Sequence, residues 1–312
     1  MSKRGKTGLM QWVLGDKHFL EMPQGTIGTL QAAMKDLREV VDIEQKFDIL
    51  YSNFIELEQE IAAVTIRDAY RNFENVTDLF DFKQVITRRV GNLLSSARLY
   101  VDQIKHHLSA LYPADGTKKA EVESYFHHEY DALLGYRVME ALRNYSQHRG
   151  LPVHGMSHGG KWVDDGLPTK RIEYNTALTI SLKELETDAS IKPKIMAELK
   201  VIGENVDLKP LIREYMEGLA NVHMKIRLLL EPRVTQAETL IIETREQFAR
   251  HAQLNRAPAG LVAGRMYNDG TAEEFFSLTD NPIVYAAKLR ARTKVIQRLS
   301  MRTVSTRNLV KS

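Results

Sequence analysis

The sequence predicts a mainly α-helical fold: an up-and-down helical bundle with a small β addition in the C-terminal half. Three observations carry this. Apolar residues recur at steps of three and four through most of the chain, the breaks between these runs are short, and only two stretches alternate with the period of a strand.

Residues 29 to 73 open the bundle, with Leu30, Met34, Leu37 and Val41, then Phe47, Leu50, Phe54, Leu57 and Ile61 on one face. This pattern fits two helices or one bent helix. In the next run, 82 to 111, Ile86, Val90, Leu93, Ala97, Val101, Ile104, Leu108 and Leu111 keep one stripe aimed at a partner helix. Tyr112-Pro113 ends it, because proline cannot continue a helix. A further helix is expected over 118 to 149, with Val122, Phe126, Tyr130, Leu133, Val138, Leu142 and Tyr145 on its apolar side and Gly150-Leu151-Pro152 as its stop. Short connections between long helices favour antiparallel neighbours, so 29–152 is read as the bundle domain and 1–28 as an N-terminal segment.

Residues 153–312 are read as a helical C-terminal region with a small β element. The stretch 151 to 170 is rich in Gly, Pro, His and Asp and is expected to be an irregular loop. Residues 171 to 185 alternate, with Ile172, Tyr174, Leu178, Ile180 and Leu182 facing one way, as in a half-buried strand. A second β candidate spans Leu261 to Leu278 around the hairpin signal Asn268-Asp269-Gly270. A long helix over 208 to 256 is expected to bend or split at Pro232, and a final helix covers about 282 to 301.

The 312 residues, 43% of them hydrophobic, are enough to bury a core. The absence of cysteine excludes disulfides, thiolate metal sites, iron–sulfur clusters and cysteine nucleophiles. The basic start (Lys3, Arg4, Lys6) is followed by an apolar stretch, Leu9 to Leu14, too short for a signal-peptide core, and no segment is apolar enough to span a membrane. A cytoplasmic location with no membrane partner is expected. The net charge of +3 makes the chain as a whole no magnet for nucleic acid, although Arg290, Arg292, Lys294, Arg298, Arg302, Arg307 and Lys311 crowd the last segment. Those cations fit either a solvated face or a phosphate-tracking surface.

Arg143-Asn144-Tyr145-Ser146-Gln147-His148 closes the helix before the Gly-Leu-Pro stop. Arginine offers a permanently charged, planar set of donors suited to phosphate, and histidine exchanges a proton near neutral pH. Together they supply the minimum chemistry for cleaving RNA without a metal. On an ideal helix the two side chains stand roughly 140° apart, so they converge only if the last turn loosens. The same residues also fit an ordinary polar helix end.

Arg143, Asn144 and His148 at the end of a bundle helix resemble the HEPN superfamily, small helical bundles marked by Arg, four to six residues, then His, often with a polar residue after the Arg. The preceding helix, with Asn92-Leu93-Leu94-Ser95-Ser96-Ala97-Arg98 and Asp102, looks like the companion helix of such domains. The resemblance covers residues 29 to 152. It implies a metal-independent endoribonuclease completed by a homodimer, with His148 as general acid/base, Arg143 on the scissile phosphate and Asn144 orienting substrate or holding the helix end. It implies RNA as partner and no cofactor. Many members act as toxins or defence effectors, which brings in a neutralising or activating protein partner; others are inactive binding or dimerising modules. A non-catalytic helical scaffold is therefore the alternative.

The stripe Arg88, Asn92, Ser95 and Asp102 is either a solvated face or part of the cleft wall, with Asn92, Ser95 and Asp102 as candidate substrate contacts. His154, in the loop after the motif, is a further candidate RNA contact. His148, His154 and His158 with Asp164 or Asp165 lack the spacing of a zinc motif, so no metal ligands are assigned. The doublets His106-His107 and His127-His128 straddle their helices and are read as surface residues. Gly155 to Gly160 lacks the Lys-Ser/Thr ending of a phosphate loop, and Ser146 and Ser157 lack a hydrolase strand–turn–helix context, which argues against nucleotide hydrolysis and serine nucleophiles.

Overall fold

The computed structural model describes residues 5–15, 18–23, 25–71, 76–164, 170–267, 272–294 and 296–304. Its helices are α1 (Thr26–Arg71), α2 (Val76–Leu111), α3 (Gly116–Ala132), α4 (Leu134–His148), α5 (Leu182–Leu185), α6 (Pro193–Ile202), α7 (Leu208–His251) and α8 (Asn281–Arg292). The strands are β1 (Gly5–Gln11), β2 (Phe19–Glu21), β3 (Gly155–Val163), β4 (Arg171–Ser181), β5 (Asn205–Asp207), β6 (Leu261–Tyr267) and β7 (Ala272–Ser277). They form two antiparallel sheets, ordered β2-β1-β6-β7 and β3-β4-β5. The fold is mainly α with a small β addition, as the apolar periodicities predict. Among the described residues no helix is long and apolar enough to cross a membrane.

The first run is a single helix, one of the two forms its pattern allows: α1, 46 residues with no proline in its length. Several other elements differ from expectation for identifiable reasons. The helix expected over 118 to 149 is two, because Leu133 is extended (φ −110°, ψ 122°). Arg137 fixes this break: its Nη1 donates to the carbonyls of Tyr130 (3.1 Å) and Asp131 (2.6 Å) at the end of α3, while its Nη2 donates to Glu198 (2.9 Å). A cation thereby satisfies carbonyls that the helix end leaves orphaned. Part of the expected loop is strand β3, which pairs with β4 from Gly155↔Thr179 to Val163↔Arg171. No residue of β3 is buried, so the apolar alternation that reveals a strand is missing. Helix α7 carries Pro232 inside its length without ending there. The last helix stops at Arg292, and a separate 3-10 turn spans Leu299–Met301 after the left-handed Arg298 (φ 56°). The Asn268-Asp269-Gly270 turn, Lys3, Arg4, Asp165, Arg307 and Lys311 lie outside the described residues.

The chain clusters into two compact units, each drawn from three stretches. The first comprises residues 1–45, 106–114 and 226–294. Here β1 pairs with β6 over seven residues, bringing the N-terminal segment into a sheet with the C-terminal hairpin. Leu9, Leu30, Met34, Leu111, Ile241 and Phe248 are buried in it. Its buried charges are matched: Glu44, 2% exposed, accepts from Arg227 (Nε, 2.9 Å) and Arg290 (Nε, 3.1 Å).

The second unit comprises residues 46–105, 115–225 and 295–312. Its core holds an aromatic cluster in which Phe47 stacks on His223 with ring centroids 3.8 Å apart, and Tyr100 Oη lies 3.0 Å from His223 Nδ1. Helix α4 starts hard against α7. A Cβ at Gly135 would stand 2.3 Å from the Leu211 carbonyl oxygen, so only glycine permits the approach, and the Gly135 N–H donates to Glu214 Oε2 (2.8 Å). Tyr136 and Tyr215 then meet edge to face at 4.9 Å. This packing anchors the start of α4, whose other end carries the Arg143–His148 segment.

Candidate phosphate-binding groove

A groove of about 600 Å³ runs along α2 and the end of α4 in the second unit. Its α2 wall is a stripe at alternating steps of four and three: Gln84, Arg88, Gly91, Ser95 and Arg98, with Thr87 and Leu94 beside it. Residues that far apart share one helix face. Arg143, Ser146 and Gln147 from α4 and Gly150, Leu151 and Pro152 from the stop line the opposite side. The lining has three arginines and no carboxylate. Such a wall attracts anions, and planar guanidinium groups suit phosphate oxygens.

The arginines are differently engaged. Arg98 Nε is 2.6 Å from Asp102, an exposed pair four residues apart that holds little energy. Arg143 Nη1 donates to Asn144 Oδ1 (3.1 Å). Arg88 has no hydrogen-bond or ion-pair partner among the described residues. The neighbouring Arg89 faces a different way, onto Glu56 and Glu60.

Of the residues the sequence singled out, the groove brings together Arg143 with Ser95 and Arg88 of the polar stripe. Asn144 is exposed beside it and acts as the acceptor for Arg143. His148 is exposed but does not line the groove. Helix α4 stays regular through His148, so the loosened last turn that would let it meet Arg143 within one chain does not occur. Asn92 is exposed outside the groove, and Asp102 is the partner of Arg98. His154 also lies outside the lining; its Nδ1 accepts from the Ser181 N–H (3.0 Å) and its carbonyl accepts from Lys83 Nζ (2.6 Å). Burial holds the His154 imidazole below the usual histidine range.

The remaining histidines separate. His158 Nδ1 lies 2.7 Å from buried Asp68, so His148, His154 and His158 do not converge. His107, read from its doublet as a surface residue, is instead buried and lies 2.8 Å from Glu39 through Nδ1; His106, His127 and His128 are exposed. A doublet puts its two rings about 100° apart, so one inward ring forces the other out.

Sequence reasoning missed Arg98, Gln84 and Gln147 as groove residues and named Arg88 only as part of the polar stripe. The signal was the four–three ladder from Gln84 to Arg98, the same period as the apolar seam of α2 but on another face. Comparison with known protein families, curated proteins and solved structures finds no match for this chain.

Proposed function

We propose that the chain is a metal-independent endoribonuclease of HEPN type that holds RNA by its phosphates in the α2–α4 groove and completes its site as a homodimer. The observation that carries this reading is the groove itself: Arg143 of the Arg-x4-His motif lines it opposite Arg88, Arg98 and Ser95, with no carboxylate in the lining. Arg143 then offsets charge on the scissile phosphate as the 2′-hydroxyl attacks. His148, exposed to solvent, takes the 2′-hydroxyl proton or gives one to the leaving 5′-oxygen. The products are a 2′,3′-cyclic phosphate and a free 5′-hydroxyl. Because the regular helix keeps His148 on a different side from Arg143, the histidine serving one groove comes from the second protomer in this account. A cytoplasmic enzyme of this kind, acting on the cell's own RNA, requires a neutralising or activating protein.

The test is incubation of the purified protein and His148→Ala with a mixed RNA pool in EDTA. Cleavage by the wild type alone, leaving cyclic phosphate ends, is the expected result; full activity in the variant excludes the assignment. The second reading is a non-catalytic helical RNA-binding module, favoured by the placement of His148 outside the groove lining. It gives RNA binding that depends on Arg88 and Arg143, with no cleavage.

A further inference from the structure

We infer that Glu39, Asp42 and His107 form a binding site for one divalent transition-metal ion of the zinc class. The site lies in the first compact unit and shares no residue with the groove, so it stands independently of the ribonuclease reading. Glu39 and Asp42 are three apart on α1 and occupy one face. His107 reaches them from α2, with Nδ1 2.8 Å from Glu39 Oε2. One ligand atom from each residue lies within 4.8 Å of the other two. Among the described residues this is the one group of three or more such side chains so gathered.

A histidine–carboxylate hydrogen bond explains two of the three residues. It leaves Asp42, a second carboxylate within 4.8 Å of the first and with no hydrogen bond or ion pair among the described residues. Two neighbouring carboxylates repel, and a bound cation relieves that repulsion. An ion with bonds of about 2.0–2.2 Å to nitrogen and oxygen places neighbouring ligand atoms roughly 3–3.5 Å apart. Asp42 is exposed and able to swing in, while His107 is 8% exposed and held in place. One imidazole nitrogen with two carboxylate oxygens suits zinc, cobalt or manganese, whereas magnesium and calcium favour all-oxygen shells. On binding, the metal replaces any proton on His107 Nδ1, which leaves to solvent, and water completes the shell.

The experiment uses tag-free full-length protein, freed of metal with chelator and titrated with Co²⁺ while visible absorption is followed, then with Zn²⁺ as competitor. The expected result is a band saturating at one equivalent and displaced by Zn²⁺. Asp42→Asn and His107→Gln each weaken Co²⁺ affinity by about tenfold or more, at least the effect of losing a residue that only orients a ligand. His127→Gln and His148→Ala leave it unchanged. Failure of the wild type to saturate at one equivalent, or wild-type affinity in either ligand variant, overturns the assignment. Asp42 is exposed, so its asparagine variant tests the site even if His107→Gln fails to fold.

Discussion

Arg143 and His148 lie on the same unbroken helix, α4, yet only Arg143 lines the groove. An ideal helix separates the two by roughly 140°, and α4 retains its regularity to His148. In the function proposed above, a site that uses both on one phosphate draws them from two chains.

Arg88→Ala weakens RNA binding without disturbing the fold, since Arg88 has no partner among the described residues. Removing one phosphate contact lowers the slope of log K against log salt by about 1. Fluorescence anisotropy across a salt series measures this. An unchanged slope places the RNA elsewhere.

His154 makes stability depend on pH. Its folded-state pKa is lowered by burial, so below the unfolded histidine value of about 6.5 the unfolded chain binds more protons than the native one. The contribution is fully present above about pH 6.5 and is lost as pH falls below that value, toward and through the depressed folded pKa. The Ser181 N–H donated to Nδ1 points the same way, because protonation there removes the acceptor. Urea midpoints between pH 7.5 and pH 5 are expected to fall less steeply for His154→Gln than for the wild type.

Glu44→Ala is expected to destabilise the first unit strongly. Glu44 is 2% exposed and accepts from Arg227 and Arg290, and Arg227 Nη2 also bonds Thr293 Oγ1 (2.7 Å). Removing the carboxylate leaves two arginines facing each other without it, which costs about 3–5 kcal/mol. Chemical denaturation measures the loss; a change under about 1 kcal/mol, the range of exposed pairs, contradicts this reading.

The apolar seams of α1 and α2 were legible because steps of three and four survive in Leu30, Met34, Leu37 and in Ile86, Val90, Leu93, all buried. Strand β4 was legible from Leu178 and Ile180, buried on its inner face. Strand β3 was not, because its residues are bounded by solvent and their pairing with β4 is a long-range fact. The α3–α4 break was hidden for a similar reason: Arg137 recruits Glu198, 61 residues away, to hold it. At the groove, Arg143 was visible from the motif, and Ser95 from the polar stripe. That Asp102 serves Arg98, and that His154 turns its Nδ1 to a backbone N–H, depends on side-chain partners that spacing does not encode.

The shared site is tested by mixing Arg143→Ala and His148→Ala, each inactive alone, under conditions that exchange subunits, and measuring RNA cleavage in EDTA. If one protomer supplies the arginine and the other the histidine, heterodimers regain a complete site and cleavage returns at a fraction of the wild-type rate. A mixture as inactive as its components, alongside an active wild type, contradicts a site shared between two chains.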